Sequence, residues 1–185
     1  IDLIMQLAPI GVFALIMPAV AVNGAKVLLP LASVIAVVYI GCLLHMTFVY
    51  SGVVSILGGI SPARFFKGVF PAMLVAFSTC SSSAAVPINI KCTQENLGVN
   101  KDVSAFCLPI CSTVNMDGTA LYQGVCALFV AQVYGIELSM AHYITIVLTA
   151  TLASIGTAGV PGAGLIMLTL VLQSVGLPLE GIALV

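Results

Sequence analysis

Asp117 is the only charged residue between Asp102 and Glu137, and it stands in Asn115-Met116-Asp117-Gly118-Thr119, a polar break in a stretch otherwise apolar enough to span a membrane. A carboxylate at bilayer depth costs at least ~2.5 kcal/mol even on insertion scales, so such a group characteristically faces a cavity and holds an ion or a proton. Both flanks continue as apolar segments of helix length, which argues against a solvated loop. Asn115 adds an amide oxygen, Thr113 and Thr119 add hydroxyls, and an unwound backbone at Met116 would free carbonyl oxygens. Hard oxygens around one negative charge suit a hard cation such as sodium. A polar knot bonding across a helix bundle is the alternative, and it explains the threonines better than the aspartate.

Other polar runs interrupt the apolar sequence. Ser81-Ser82-Ser83 would put hydroxyls and backbone amides at the end of a half-helix, where orphan N–H groups and the positive end of the dipole attract an anion. A substrate carboxylate fits there; serines that merely cap a turn are the alternative. A serine nucleophile would need a base, and His45 and His142 fall in separate segments with no sign of convergence. In Gly156-Thr157-Ala158-Gly159-Val160-Pro161-Gly162-Ala163-Gly164, four glycines and Pro161 allow an irregular backbone that can approach a ligand closely and move as a gate, with a plain loop as the alternative. The six cysteines (Cys42, Cys80, Cys92, Cys107, Cys111, Cys126) lie along apolar segments without a C-x-x-C pair and read mostly as small packing residues. Cys107 and Cys111 share a helix face, but a metal site there would want further His or carboxylate ligands.

These runs sit in a chain of 185 residues that is 61% apolar and 6% charged, against ~25% charged in an ordinary soluble domain. The mean hydropathy is +1.25. Such a composition belongs to an integral membrane protein, and at ~20 residues per crossing there is room for several inserted helices in one bundle without a separate soluble domain. A net charge of -1 leaves no basic patch to neutralise phosphates, which excludes a nucleic-acid role. No charged n-region precedes a small-residue cleavage site, so no signal peptide is expected, and both ends read as cut from a longer protein.

Hydropathy and breakers predict an all-α membrane fold. The first segment, about Leu3 to Val22, carries Pro9 and Pro18 as kinks and ends at Asn23-Gly24-Ala25-Lys26. The second, about Val27 to Leu57, is long enough to cross with tilt and stops at Gly58-Gly59. The third, about Pro62 to Leu97, has Ser78 to Ser83 between two apolar halves of roughly three to four turns each, the shape of a re-entrant hairpin. Arg64 and Lys67 before it, with Lys91 and Lys101 after its apolar part, place both flanks on the cytoplasmic side; Lys26 is an external exception. The fourth segment, about Val103 to Gly135, crosses outward and is broken at Val114 to Gly118. The fifth, about Ser139 to Val175, is broken at Gly156 to Gly164 and flanked by Glu137 and Glu180, which predicts a second hairpin entering from outside. A further segment begins near Leu179. Interrupted apolar segments of opposite orientation point to an inverted-repeat transporter with its site at the midplane. Re-entrant backbone is tolerable only where protein or a water-filled cavity surrounds it, so the hairpin tips are expected to meet near Asp117.

With these motifs in this order, the chain resembles the dicarboxylate/amino acid:cation symporters, the glutamate transporter family, over essentially its whole length. Asn115-Met116-Asp117-Gly118-Thr119 resembles the signature of the family's seventh transmembrane helix, Ser81-Ser82-Ser83 the tip of hairpin one, Gly156 to Gly164 the tip of hairpin two, and Ala8-Pro9-Ile10-Gly11-Val12-Phe13-Ala14 the start of the fifth helix. The resemblance implies a scaffold-type helix over 1–26 and a transport domain over 27–185. That domain would comprise a helix at 27–57, hairpin one at 62–97, a broken helix at 103–135, hairpin two at 139–175 and the start of the eighth helix at 179–185.

It also implies sodium as coupling ion, held by the Asn115 and Asp117 side chains, by Thr113 with the Met116 sulfur or carbonyl, and by backbone oxygens at Cys111, Ser154, Ile155 and Thr157. Substrate would touch Cys80, Ser82, Thr119, Val160 and Gly164, and no organic cofactor is expected. The function implied is sodium-coupled symport of an acidic amino acid, glutamate or aspartate, by an elevator movement against a homotrimeric scaffold mostly outside this chain. Neutral amino acid or C4-dicarboxylate symport is the alternative within the family, and a channel-like packing module the alternative outside it. Cys80 stands where relatives carry Arg or a small residue, so a basic group compensating an acidic substrate is absent at that position. The rest of the eighth helix, which in the family reads the substrate's side chain and amino group, is expected beyond Val185. The expected surroundings are membrane lipid, in a bacterial inner membrane crossed several times.

Overall fold

The computed structural model describes Met17 and residues 28–185. The expected first segment, Leu3 to Val22 with its prolines, and the scaffold assignment of 1–26 lie outside these residues. Every regular element among those described is helical.

Helix α1 (Leu28–Leu44) is apolar but for Ser33 and continues without a break through a wider, π-helical turn at His45–Tyr50 into α2 (Ser51–Ile56). The stretch Pro30–Ile56 makes 27 residues of helix, about 40 Å at 1.5 Å per residue and longer than the ~30 Å hydrocarbon core. Its apolar side chains stay exposed on several sides, Phe48 at 71% and Ile56 at 82% among them. A helix dressed this way belongs in hydrocarbon or against further apolar helices.

A pair of antiparallel helices follows. Ser61 starts α3 (Pro62–Thr79), its hydroxyl accepting from the Arg64 N–H and Pro62 standing where a missing N–H costs nothing. Helix α3 stops at Cys80, whose left-handed φ of 48° reverses the chain. Ser81 then caps α4 (Ser82–Leu97) by accepting from the Ala84 N–H at 3.2 Å. These helices are 18 and 16 residues long, about five and four and a half turns rather than the three to four expected. The excess in α4 comes from the polar stretch Lys91 to Asn96, which hydropathy discounts but which is helical here. The pair is drawn tight at Gly68, where a Cβ would lie 2.8 Å from Leu97 Cδ2 and where the Asn96 amide donates to the Gly68 carbonyl at 2.7 Å.

Asn100 caps α5 (Lys101–Val114), and α5 is tied back to α4 by the Gln94 amide, 2.7 Å from the Ser104 hydroxyl. After Asn115 and Met116 the chain resumes as α6 (Asp117–Val133). Ser139 and His142 cap each other at the start of α7 (Met140–Ile155). An irregular stretch through Gly162 leads to α8 (Ala163–Ser174), and a 3-10 helix spans Leu179–Leu184. The dry core lies among α6, α7 and α8: Cys126, Ala127, Val130, Leu168, Val171 and Leu172 are fully buried, with Ile146 and Ala150 nearly so, and Val34 of α1 closes one side. This core fixes the second half of the broken helix, and so fixes Asp117 at its first residue.

Candidate functional site at the broken helix

The interruption between α5 and α6 occurs because Asn115 and Met116 leave helical geometry, at φ/ψ of -111°/72° and -110°/61°. The Asn115 N–H still closes α5 onto the Cys111 carbonyl at 3.1 Å, while the Met116 carbonyl opens α6 by accepting from Thr119 and Ala120 at 3.0 and 3.2 Å. Asp117 therefore occupies the first turn of α6, where orphan amides favour negative charge. Its Oδ2 accepts from the Tyr50 hydroxyl at 2.9 Å and lies 3.1 Å from His45 Nε2. Among the described residues no hydrogen bond reaches Oδ1.

Asp117 lines a cavity of about 710 Å³ between the first long helix, the α3–α4 pair and α5. Cys111, Asn115 and Ser82 open onto the same space, as do Tyr50, Asn89 and Ser112, and apolar groups such as Phe65, Val69 and Leu108 make up much of the remaining wall. Thr113 is not on that wall; its hydroxyl donates back to the Ile110 carbonyl at 3.0 Å.

The two helical pairs touch at their tips. The Gly159 carbonyl accepts from the Ser81 hydroxyl at 2.6 Å and from the Ser83 N–H at 3.2 Å. Cys80 and Ser82 flank this contact and are exposed. Val160 is also exposed, and its carbonyl accepts from the Ala163 N–H at 3.4 Å. Gly164 approaches Thr119, whose methyl would lie 3.4 Å from a Cβ placed on that glycine, and its carbonyl accepts from Gln123 Nε2 at 3.5 Å. The Thr119 hydroxyl points at the Met116 sulfur, 3.8 Å away. At the end of α7, Ser154 and Thr157 are buried and Ile155 exposed; the Ser154 carbonyl takes the Thr157 N–H at 3.2 Å. The structure thus gathers Asp117, Asn115, Cys111 and Ser82 around one cavity and Thr119 with Gly164 at another contact, while Ser154, Ile155 and Thr157 stand apart from that cavity's wall.

The whole sequence, residues 1–185, matches the profile of the Sodium:dicarboxylate symporter family. The chain belongs to that family. It is 42% identical over 184 residues to the Excitatory amino acid transporter of Caenorhabditis elegans, covering 98% of this chain and 37% of that one. It is 42% identical over 191 residues to Excitatory amino acid transporter 1 of Homo sapiens, covering 100% of this chain and 34% of the relative. Against Excitatory amino acid transporter 2 of Homo sapiens the identity is 40%, with 98% and 32% covered. The chain spans about a third of the length of these relatives. Membership makes this an integral membrane protein, and the family and these relatives are named for transport rather than for an enzymatic reaction. The relatives are animal proteins and lend no support to the bacterial inner membrane expected from the sequence.

His45 and Tyr50, the two side chains that reach Asp117 Oδ2, are not marked as its partners by the sequence. In the sequence His45 suggests only a base for the serines, whereas in the structure it meets the aspartate. A signal existed: His45 is the only His, Lys, Arg, Asp or Glu between Val27 and Leu57, and an ionisable group in a membrane segment points to a polar partner.

Proposed function

We propose that the chain is the ion- and substrate-binding part of a sodium-coupled symporter of acidic amino acids, glutamate or aspartate. The observation that carries this reading is Asp117, a carboxylate at a helix break that opens onto a cavity shared with Asn115 and with the serine-rich tip. Family membership supplies the coupling ion, and the named relatives support an amino acid as cargo.

In this reading residues 27–185 form the transport domain, with α3–α4 and α7–α8 as re-entrant hairpins and 1–26 as scaffold. Sodium is held by the Asp117 and Asn115 side chains, by Thr113 and Met116, and by carbonyls of Cys111, Ser154, Ile155 and Thr157. The substrate lies among Cys80, Ser82, Thr119, Val160 and Gly164, and the Gly156 to Gly164 stretch serves as the gate. Ion and substrate are coupled if the gate closes well only over both, because each then favours the same conformation. The domain then moves as an elevator against a homotrimeric scaffold.

The test is uptake of labelled aspartate by the full-length parent in proteoliposomes. An inward sodium gradient is expected to drive accumulation, and Asp117→Asn to raise the sodium needed for half-maximal uptake by tenfold or more, roughly the loss of one charge-assisted contact. Unchanged sodium dependence in Asp117→Asn would remove the assigned role. Ion flux without accumulation would point instead to a channel-like module.

A further inference from the structure

The helical stretch Pro30–Ile56 widens where it passes Asp117. In an α-helix of ~3.6 residues per turn, residues five apart point about 140° away from each other. A π-helical turn bonds i to i+5 and so brings such residues onto nearly one face, and turns of this kind concentrate at functional sites. His45 and Tyr50 are the first and last residues of the π-helical turn. Their rings meet edge to face, centroids 5.0 Å apart at 78°. Both reach one atom, Asp117 Oδ2, at 3.1 and 2.9 Å. Since a carboxylate only accepts, the His45 Nε2 and the Tyr50 hydroxyl each carry the hydrogen.

The His45 and Asp117 side chains keep 28% and 30% of their surface exposed, and Tyr50 and Asp117 both line the cavity, so the knot stands at the cavity's edge rather than inside the packed core. With both donors on Oδ2 and none on Oδ1 among the described residues, the carboxylate is held by one oxygen and presents the other.

We propose that His45 and Tyr50 are positioning residues for the cation site, a two-point clamp built by the π-helical turn that fixes Asp117 through Oδ2 and leaves Oδ1 to the ion. This rests on the reading of Asp117 as a sodium ligand. A carboxylate already fixed in orientation loses less freedom when it captures an ion, so the clamp raises sodium affinity. Neither residue needs to touch the ion or the substrate.

The experiment uses the purified full-length protein and reads sodium by equilibrium titration of aspartate binding and by sodium-dependent thermal stabilisation, both independent of transport. Tyr50→Phe keeps the ring and its packing and removes only the hydroxyl; His45→Leu removes the second donor. Each is expected to raise the sodium half-saturation about tenfold, the scale of one hydrogen bond to a charged group, in a way that added sodium overcomes. His45→Gln retains an N–H donor and is expected to recover most of the loss seen in His45→Leu, a rescue that a purely packing role would not produce. Sodium half-saturation unchanged or lowered in Tyr50→Phe and His45→Leu, with Asp117→Asn still impaired, overturns the clamp and keeps the sodium reading. Indifference of Asp117→Asn to sodium overturns both.

Discussion

Gly159→Ala tests whether the tip contact is a closing device. Gly159 is not among the glycines at positive φ, so alanine meets no left-handed strain there, but the new Cβ would lie 2.6 Å from Ser83 Oγ, 3.0 Å from Ser83 N and 3.3 Å from Ser82 Cβ. The hydroxyl can rotate away. The backbone nitrogen cannot, because it opens α4, and so the tips must part by several tenths of an ångström. Separation weakens the bonds that the Gly159 carbonyl accepts from the Ser81 hydroxyl and the Ser83 N–H, 2.6 and 3.2 Å long. The shorter bond has slack at that separation, so the cost is the Ser83 bond, a net ~0.5–1.5 kcal/mol, which disfavours the closed state roughly 2- to 12-fold in population. The buried core among α6, α7 and α8 is untouched, so the thermal midpoint of the ligand-free protein is expected to fall by no more than the weakening of that one bond allows. The assay is aspartate affinity at saturating sodium in the full-length protein, with thermal unfolding measured beside it. Affinity within twofold of the parent would refute the reasoning, and so would a loss that merely tracks a lower midpoint.

Asn96→Ala removes the amide that donates to the Gly68 carbonyl at 2.7 Å and is expected to lower stability in detergent by about 1 kcal/mol, read as a fall in the unfolding midpoint with sodium dependence intact. Cys80→Gly places glycine at the left-handed φ of 48°; relief of that backbone conformation is expected to stabilise the α3–α4 turn by up to about 1 kcal/mol, and a lowered midpoint would show that the thiol makes a contact of greater worth.

The helix interruptions were legible because each is written in residues that apolar helices avoid: Ser78 to Ser83, Asn115 to Gly118, and the glycines from Gly156 to Gly164. Asp117 was legible for the same reason, as a charge where apolar sequence surrounds it. What hydropathy could not supply was the partner of that charge. His45 and Tyr50 lie 72 and 67 residues away in sequence from Asp117, and their shared face depends on a π-helical turn that leaves no mark in an apolar period of 3.6. Hydropathy shortens α4 because Lys91 to Asn96 is polar, although Thr93 and Asn96 are bonded to backbone carbonyls within the α3–α4 pair. The close approach at Gly68 was equally silent, since a glycine in a helix looks the same in sequence whether or not another helix presses on it.

The bond from the Gly159 carbonyl to Ser81 and Ser83 also bears on selectivity. Two of the donors at the start of α4 that suit a substrate carboxylate, the Ser81 hydroxyl and the Ser83 N–H, are already engaged by the protein's own backbone. In the proposed reading a cargo seated while the tips stay joined meets only the donors they leave free, the exposed Ser82 hydroxyl among them. Discrimination at this tip then falls on that smaller set, and a cargo that needed the engaged pair would have to part the tips to reach it.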